Sequence, residues 1–154
     1  MKKGFYYQTP VGRLAIVEED DFLIRCSFFS LPEDAVKEET PLIRKTFKQL
    51  QEYFSGKRKT FDLPLKFYGS DFQKQVWQEL LKIPYGKTVT YGEIAQKIKG
   101  KNYSRAVGMA NNRNPIAIIV PCHRVIGANN SLTGYAGGLD VKKILLKTEH
   151  ISVQ

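Results

Sequence analysis

Cysteine is scarce in this chain. It has two among 154 residues, Cys26 and Cys122, and no Cys-x-x-Cys pair. That leaves neither a disulfide framework nor a two-cysteine clip for zinc or redox work. Long apolar runs are missing too: no window approaches the roughly 18 uninterrupted apolar residues of a membrane helix, so no membrane partner is expected. The opening segment Met1-Lys2-Lys3-Gly4-Phe5-Tyr6-Tyr7 is basic but runs straight into polar residues, without the apolar centre of a secretory leader. These absences lead to the expectation of a reduced, cytoplasmic protein. Acidic residues are few in the second half. Residues 69–154 hold 5 Asp/Glu against 12 Lys/Arg, whereas residues 1–68 hold 10 against 12, and the whole chain carries +9. A polyanionic partner whose phosphates release condensed counterions would account for that bias, and so would a lysine-rich surface kept for solubility.

What is present is an ordinary globular composition, 42% hydrophobic and 25% charged. The length suits one domain or two small ones. The first forty residues read as strands. Tyr6–Thr9 precedes the turn Pro10-Val11-Gly12, Leu14–Val17 is apolar and ends at Glu18-Glu19-Asp20-Asp21, and Phe22–Phe29 is rich in aromatic and branched residues. A helix is expected after Thr40, with Pro41 in the first helical position and Ile43, Phe47, Leu50 and Phe54 on one face. Residues 57–71 read as a linker, which divides the chain into domains 1–68 and 69–154. After it the pattern is helical. Phe72, Val76, Trp77, Leu80 and Leu81 form one face, Thr90-Tyr91-Gly92-Glu93 has capping-box form, and Ser104 can cap a third helix towards Asn112. Two short helices joined near Gly100 have the outline of a helix-turn-helix. The second carries Arg105 followed by Ala106, Gly108 and Ala110. Such small residues permit close approach either to DNA or to a neighbouring helix.

Ile116–Val120 reads as a buried strand that ends in Pro121-Cys122-His123-Arg124-Val125. A thiolate is nucleophilic, and a base and a cation nearby would raise its population. Adjacent residues on an extended strand point to opposite faces, so for Cys-His adjacency alone an inert core thiol is the favoured reading.

The segments Thr90-Tyr91-Gly92-Glu93-Ile94-Ala95, Ser104-Arg105-Ala106-Val107-Gly108, Asn114-Pro115, Pro121-Cys122-His123-Arg124-Val125 and Tyr135-Ala136-Gly137-Gly138-Leu139 follow in this order and spacing. Together they resemble the O6-alkylguanine-DNA alkyltransferases, also called methylated-DNA–protein-cysteine methyltransferases. The likeness spans about Gly69 to Glu149 and, more loosely, the first half. It implies an α+β protein with a small ribonuclease-H-like, β-rich N-terminal domain and a mostly helical, winged helix-turn-helix DNA-binding domain. The implied reaction is irreversible, single-turnover alkyl transfer from O6-alkylguanine, or O4-alkylthymine, in a flipped base.

By the same resemblance Cys122 is the acceptor, His123 its base through a water, and Glu149 the orienting carboxylate. Tyr91 is the proton donor to guanine, and Asn114 braces the turn. Arg105 is the finger that fills the stack, with Ser104, Ala106, Gly108, Ala110, Tyr91 and Arg124 completing the DNA contacts. Val125, Tyr135, Ala136, Gly137 and Lys142 border the pocket, and the carbonyls of Cys122 and Val125 accept from guanine. Ala136 stands where some members carry serine, which leaves only a backbone donor there. No cofactor is implied, and no zinc is expected because residues 1–68 offer only Cys26 and no histidine. The expected partner is double-stranded DNA carrying O6-alkylguanine, bound through its minor groove by a monomer.

Overall fold

The computed structural model describes residues 1–152. They divide into two compact units: Met1–Tyr68 with Pro115–Ile119, and Gly69–Asn114 with the chain from Val120 onward. No described helix is long and apolar enough to cross a membrane.

The first unit is built on β1 (Lys2–Thr9), β2 (Gly12–Glu19), β3 (Phe22–Ser27) and β4 (Val36–Lys37), in the spatial order β3-β2-β1-β4. The first three strands form an antiparallel meander, and β4 joins β1 in parallel. Asp20 and Asp21 both have positive φ (53° and 67°), as the two-residue hairpin between β2 and β3 requires. The apolar run Leu14–Val17 is completely buried in β2. Against the sheet lies α1 (Pro41–Phe54). The Thr40 hydroxyl accepts from Ile43 N at its start, Ile43 and Leu50 are fully buried, and the Phe47 ring stacks on Tyr7 at 3.9 Å.

Two expectations for this unit change. Residues 57–71 are only partly a linker, because Leu23 N donates to Pro64 O (2.7 Å) and Lys66 N to Leu23 O (3.0 Å), pairing that stretch with β3. Ile116–Val120 is not a continuous strand. Ile116 makes a single bridge to Cys26, and the chain then turns at Ile118, whose φ is +72°, with Ile119 N bonded to Ala117 O. An unbroken apolar run reports burial, which all five residues have, and burial alone does not choose between a strand and a turn.

The second unit contains α2 (Asp71–Leu80), β5 (Val89–Thr90), α3 (Tyr91–Ile98), α4 (Ser104–Asn112), β6 (Val125–Ile126) and α5 (Leu139–Thr148). Capping boxes open α2 (Ser70 with Gln73) and α3 (Thr90 with Glu93). Ser104 does not cap α4. A 3-10 turn, Lys101–Tyr103, precedes that helix, and the Ser104 hydroxyl donates back to Lys101 O at 2.6 Å. Trp77 from α2 is buried, its indole N–H donating to Ala110 O of α4 at 2.9 Å. The β5–β6 pair is parallel, with Val89 opposite Val125 and Thr90 opposite Ile126. This pairing places the start of α3 beside the exit of the cysteine segment.

Candidate active site

Cys122, His123 and Arg124 form one 3-10 turn and are all buried. At three residues per turn, successive side chains point about 120° apart, so three neighbours in sequence reach three different surroundings. His123 Nε2 lies 2.6 Å from Glu149 Oε2. The same carboxylate accepts from Arg124 Nε at 2.8 Å and Nη2 at 3.1 Å, and from Gly86 N at 3.1 Å. Arg124 Nη1 donates to Ile83 O at 2.7 Å. On the other side of the imidazole, Nδ1 has no protein partner among the described residues. Arg124 is therefore not a DNA contact as expected: its guanidinium is sequestered, and every described bond it makes is internal.

Burial pushes the Cys122 thiol up from its ordinary range; hydrogen bonds with Asn114 and Tyr135 and the Lys142 charge work in the opposite direction. Burial also lowers the His123 imidazole, against the pull of Glu149, while Arg124 and Lys142 add to the lowering. At rest the pair is thus a thiol beside a neutral imidazole. Cys26 is the contrast. It is fully buried and pushed up to about 12 by burial alone.

Asn114 Nδ2 donates to Val120 O at 2.8 Å, drawing together the two ends of segment 115–119, and Asn111 Nδ2 reaches Cys122 O at 3.4 Å. Lys142, on α5 and fully buried, donates to Val125 O (2.7 Å), Thr133 O (2.6 Å) and Gly134 O (3.2 Å). Its ammonium spends its three donors on the glycine-containing loop and on β6. Burial lowers Lys142 to about 8. The Tyr91 hydroxyl donates to Thr133 O at 3.3 Å, and burial raises its pKa, which keeps it protonated. Tyr135 is buried at the loop's base, where its carbonyl accepts from Gly138 N; Ala136 and Gly137 form the turn between them.

On α4, Arg105 is exposed, and Met109, one turn later on the same face, is 59% exposed. Ser104, Ala106 and Gly108 are partly exposed around them. Ala110 was expected on this face but is buried, turned towards α2. A Cβ at Gly108 would meet nothing nearer than the Tyr91 ring at 3.8 Å. Close packing inside the protein therefore does not require that glycine.

Sequence reasoning missed Gly86 and Ile83, which act through their backbone. It also missed Met109, which the i, i+4 spacing from Arg105 could have exposed. No group of three or more His, Cys, Asp or Glu side chains among the described residues could hold a metal ion.

Residues 1–67 match the domain family described as 6-O-methylguanine DNA methyltransferase, ribonuclease-like domain, and residues 71–151 match its DNA binding domain. The chain is 50% identical over 149 residues to the methylated-DNA–protein-cysteine methyltransferase of Methanosarcina acetivorans, covering 93% of this chain and 95% of that one. It is 47% identical over 156 residues to the constitutive enzyme of that name from Bacillus subtilis, covering 94% and 93%. Among solved structures, the Mycobacterium tuberculosis OGT in complex with DNA superposes with a TM-score of 0.89 at 42% identity, covering 96% of this chain and 92% of that one. With both domains matched along nearly its whole length, this chain belongs to the 6-O-methylguanine DNA methyltransferase family.

Proposed function

We propose that this chain repairs O6-alkylguanine in double-stranded DNA by direct, single-turnover transfer of the alkyl group to Cys122. The observation that carries this reading is the buried thiol in the same 3-10 turn as an imidazole whose Nε2 is tied to Glu149 and whose Nδ1 has no protein partner among the described residues. A proton leaving the thiol passes through a bridging water to Nδ1, and the imidazolium is stabilised by the carboxylate behind it. The sulfur electron pair forms the C–S bond as the C–O6 bond breaks. The departing guanine takes a proton from Tyr91, which is recovered from solvent. A thioether has no hydrolytic route back to the thiol, so each molecule acts once. O4-alkylthymine presents the same ether-like carbon and is a second candidate substrate.

The alkylated oxygen lies inside the base stack, out of the sulfur's reach unless the nucleotide is flipped out at a cost of a few kcal/mol. Arg105, exposed on α4, fills the space it leaves, and the small side chains Ala106 and Gly108 let the helix approach the minor groove. The net positive charge of residues 69–154 supplies salt-dependent affinity for any sequence. The protein acts as a monomer in the cytoplasm.

The test is intact mass and peptide mapping after mixing the protein with a duplex carrying one O6-methylguanine. The expected result is one added CH2 unit per molecule, on the Cys122 peptide and not on Cys26, and none in Cys122→Ala. Tight binding without mass gain would make the protein a damage sensor and sink the transfer reading.

A further inference from the structure

We propose that Arg124 is a positioning residue of the relay that activates the thiol, holding Glu149 ionised and thereby fixing His123 as the Nε2–H tautomer with Nδ1 as its proton acceptor. The inference deepens the alkyl-transfer reading and rests on it for its consequence in catalysis, though not for the tautomer itself.

A carboxylate offers about four acceptor positions. Those of Glu149 are filled by four described donors: Arg124 Nε and Gly86 N on Oε1, Arg124 Nη2 and His123 Nε2 on Oε2. A protonated carboxyl would have to give up one of these contacts to carry its own proton, next to a guanidinium that stabilises the ionised form. The proton between Glu149 and His123 therefore sits on Nε2, and the lone pair of the imidazole is on Nδ1. Arg124 is itself pinned, because Nη1 donates to Ile83 O and its guanidinium lies 5.8 Å from the Tyr85 ring centroid. The turn between α2 and β5 thus contributes Ile83 O and Gly86 N to the arrangement, and the adjacent start of α5's C-terminal flank contributes the carboxylate.

The second consequence is electrostatic. The charged groups acting on the imidazole are Glu149 from the end of α5, Arg124 from its own turn and Lys142 from within α5, with the titratable Cys122 its chain neighbour. With Arg124 present, the negative charge of Glu149 is balanced where it meets His123. Without it, a buried carboxylate would face the imidazole unopposed and draw a proton onto Nδ1 before the thiol could supply one. Lysine in place of arginine keeps the charge and loses the fork that spans both oxygens.

The test uses the two histidines of the chain, His123 and the exposed His150, whose imidazole nitrogens are separable in long-range 1H–15N spectra. In the unmodified full-length protein near pH 7, His123 should show a protonated Nε2 and a bare Nδ1. In Arg124→Met its titration should move upward by one pH unit or more, a tenfold rise in proton affinity, with His150 unmoved. Arg124→Lys should move it less but broaden the Nε2–H signal. The acidic limb of the transfer rate on O6-benzylguanine should shift by the same amount as the titration. A bare Nε2 in the unmodified protein would overturn the proposal, as would an unchanged His123 titration in either folded variant. Should Arg124→Met fail to fold, the tautomer and the Arg124→Lys titration decide. These spectra need no DNA and no alkyl donor, so a failed transfer assay and a failed tautomer assignment remain distinct results.

Discussion

Tyr91 and Lys142 meet on one oxygen. The phenol at the start of α3 and the ammonium in α5 both donate to the carbonyl of Thr133, at 3.3 and 2.6 Å. The loop around Thr133 is thereby clamped from the side of Tyr91, the proton donor in the proposed transfer, and from the side of Lys142, a cation acting on Cys122. One backbone atom ties that loop to both side chains.

Replacing Lys142 with methionine removes three hydrogen bonds from buried or half-buried carbonyls. Each carbonyl left without a partner costs on the order of 1 kcal/mol or more. Loop residues 131–138 should gain amide exchange, and transfer from a free alkylated base to Cys122 should slow at least tenfold. The sign of the pH effect follows from the lowered lysine, about 8 in the folded chain against an ordinary 10.5. Between those values the unfolded chain holds the proton that the folded one has lost, so folding stability from this group rises with pH there, by at most about 1.4 kcal/mol per unit. Denaturation of wild type and Lys142→Met at pH 7.5 and 9.5 measures it. The advantage of the wild type should grow at the higher pH, and a shrinking advantage would contradict the assignment.

Arg105→Ala should slow repair in duplex DNA at least tenfold while changing the reaction with a free alkylated base less than twofold, because in the proposed reaction Arg105 acts only on flipping. Met109→Ala should do the same more weakly, since an exposed apolar side chain one turn away adds contact with the unstacked step and none with the thiol. Single-turnover rates on the two substrates separate the effects. Equal losses on both would place these residues in the fold or the pocket.

Gly108→Ala separates two readings of the small residues on α4. A Cβ meets only the Tyr91 ring, at an ordinary 3.8 Å, and alanine favours the helix by about 0.5–1 kcal/mol over glycine. The variant should melt at the same temperature or higher. If the helix backbone approaches DNA closely, duplex affinity should fall all the same. Unchanged affinity would remove Gly108 from the interface.

Because burial holds the Cys122 thiol above its ordinary range, little thiolate exists near neutrality. The single-turnover rate on a free alkylated base should climb with pH from about 6. It should flatten near 8, where Lys142 gives up its proton and its charge no longer favours the thiolate. Rapid-quench rates across that range check it, and a flat profile would mean that the thiolate is already formed at rest.

Much of this protein was determined locally. Thr40 and Pro41 start α1 and the Thr90–Glu93 box starts α3 because a cap is a contact between residues three apart, which tertiary packing has little power to move. The order of short motifs around Cys122 was likewise sufficient to name the family. Ser104 went the other way: a 3-10 turn ahead of it took the capping position, and no local rule announces such a turn. The run Ile116–Val120 was legible as buried but not as a turn at Ile118, since hydrophobicity records removal from water and not φ. Arg124 was read as a DNA contact through the family resemblance. Only the folded chain brings Glu149, twenty-five positions on, against it, and so decides whether that charge meets solvent or a carboxylate. Sequence determined which chemical groups are present and where helices begin. Tertiary structure alone decided which of those groups are neutralised inside and which remain for a ligand, because burial and partnership are set by residues far apart in the chain.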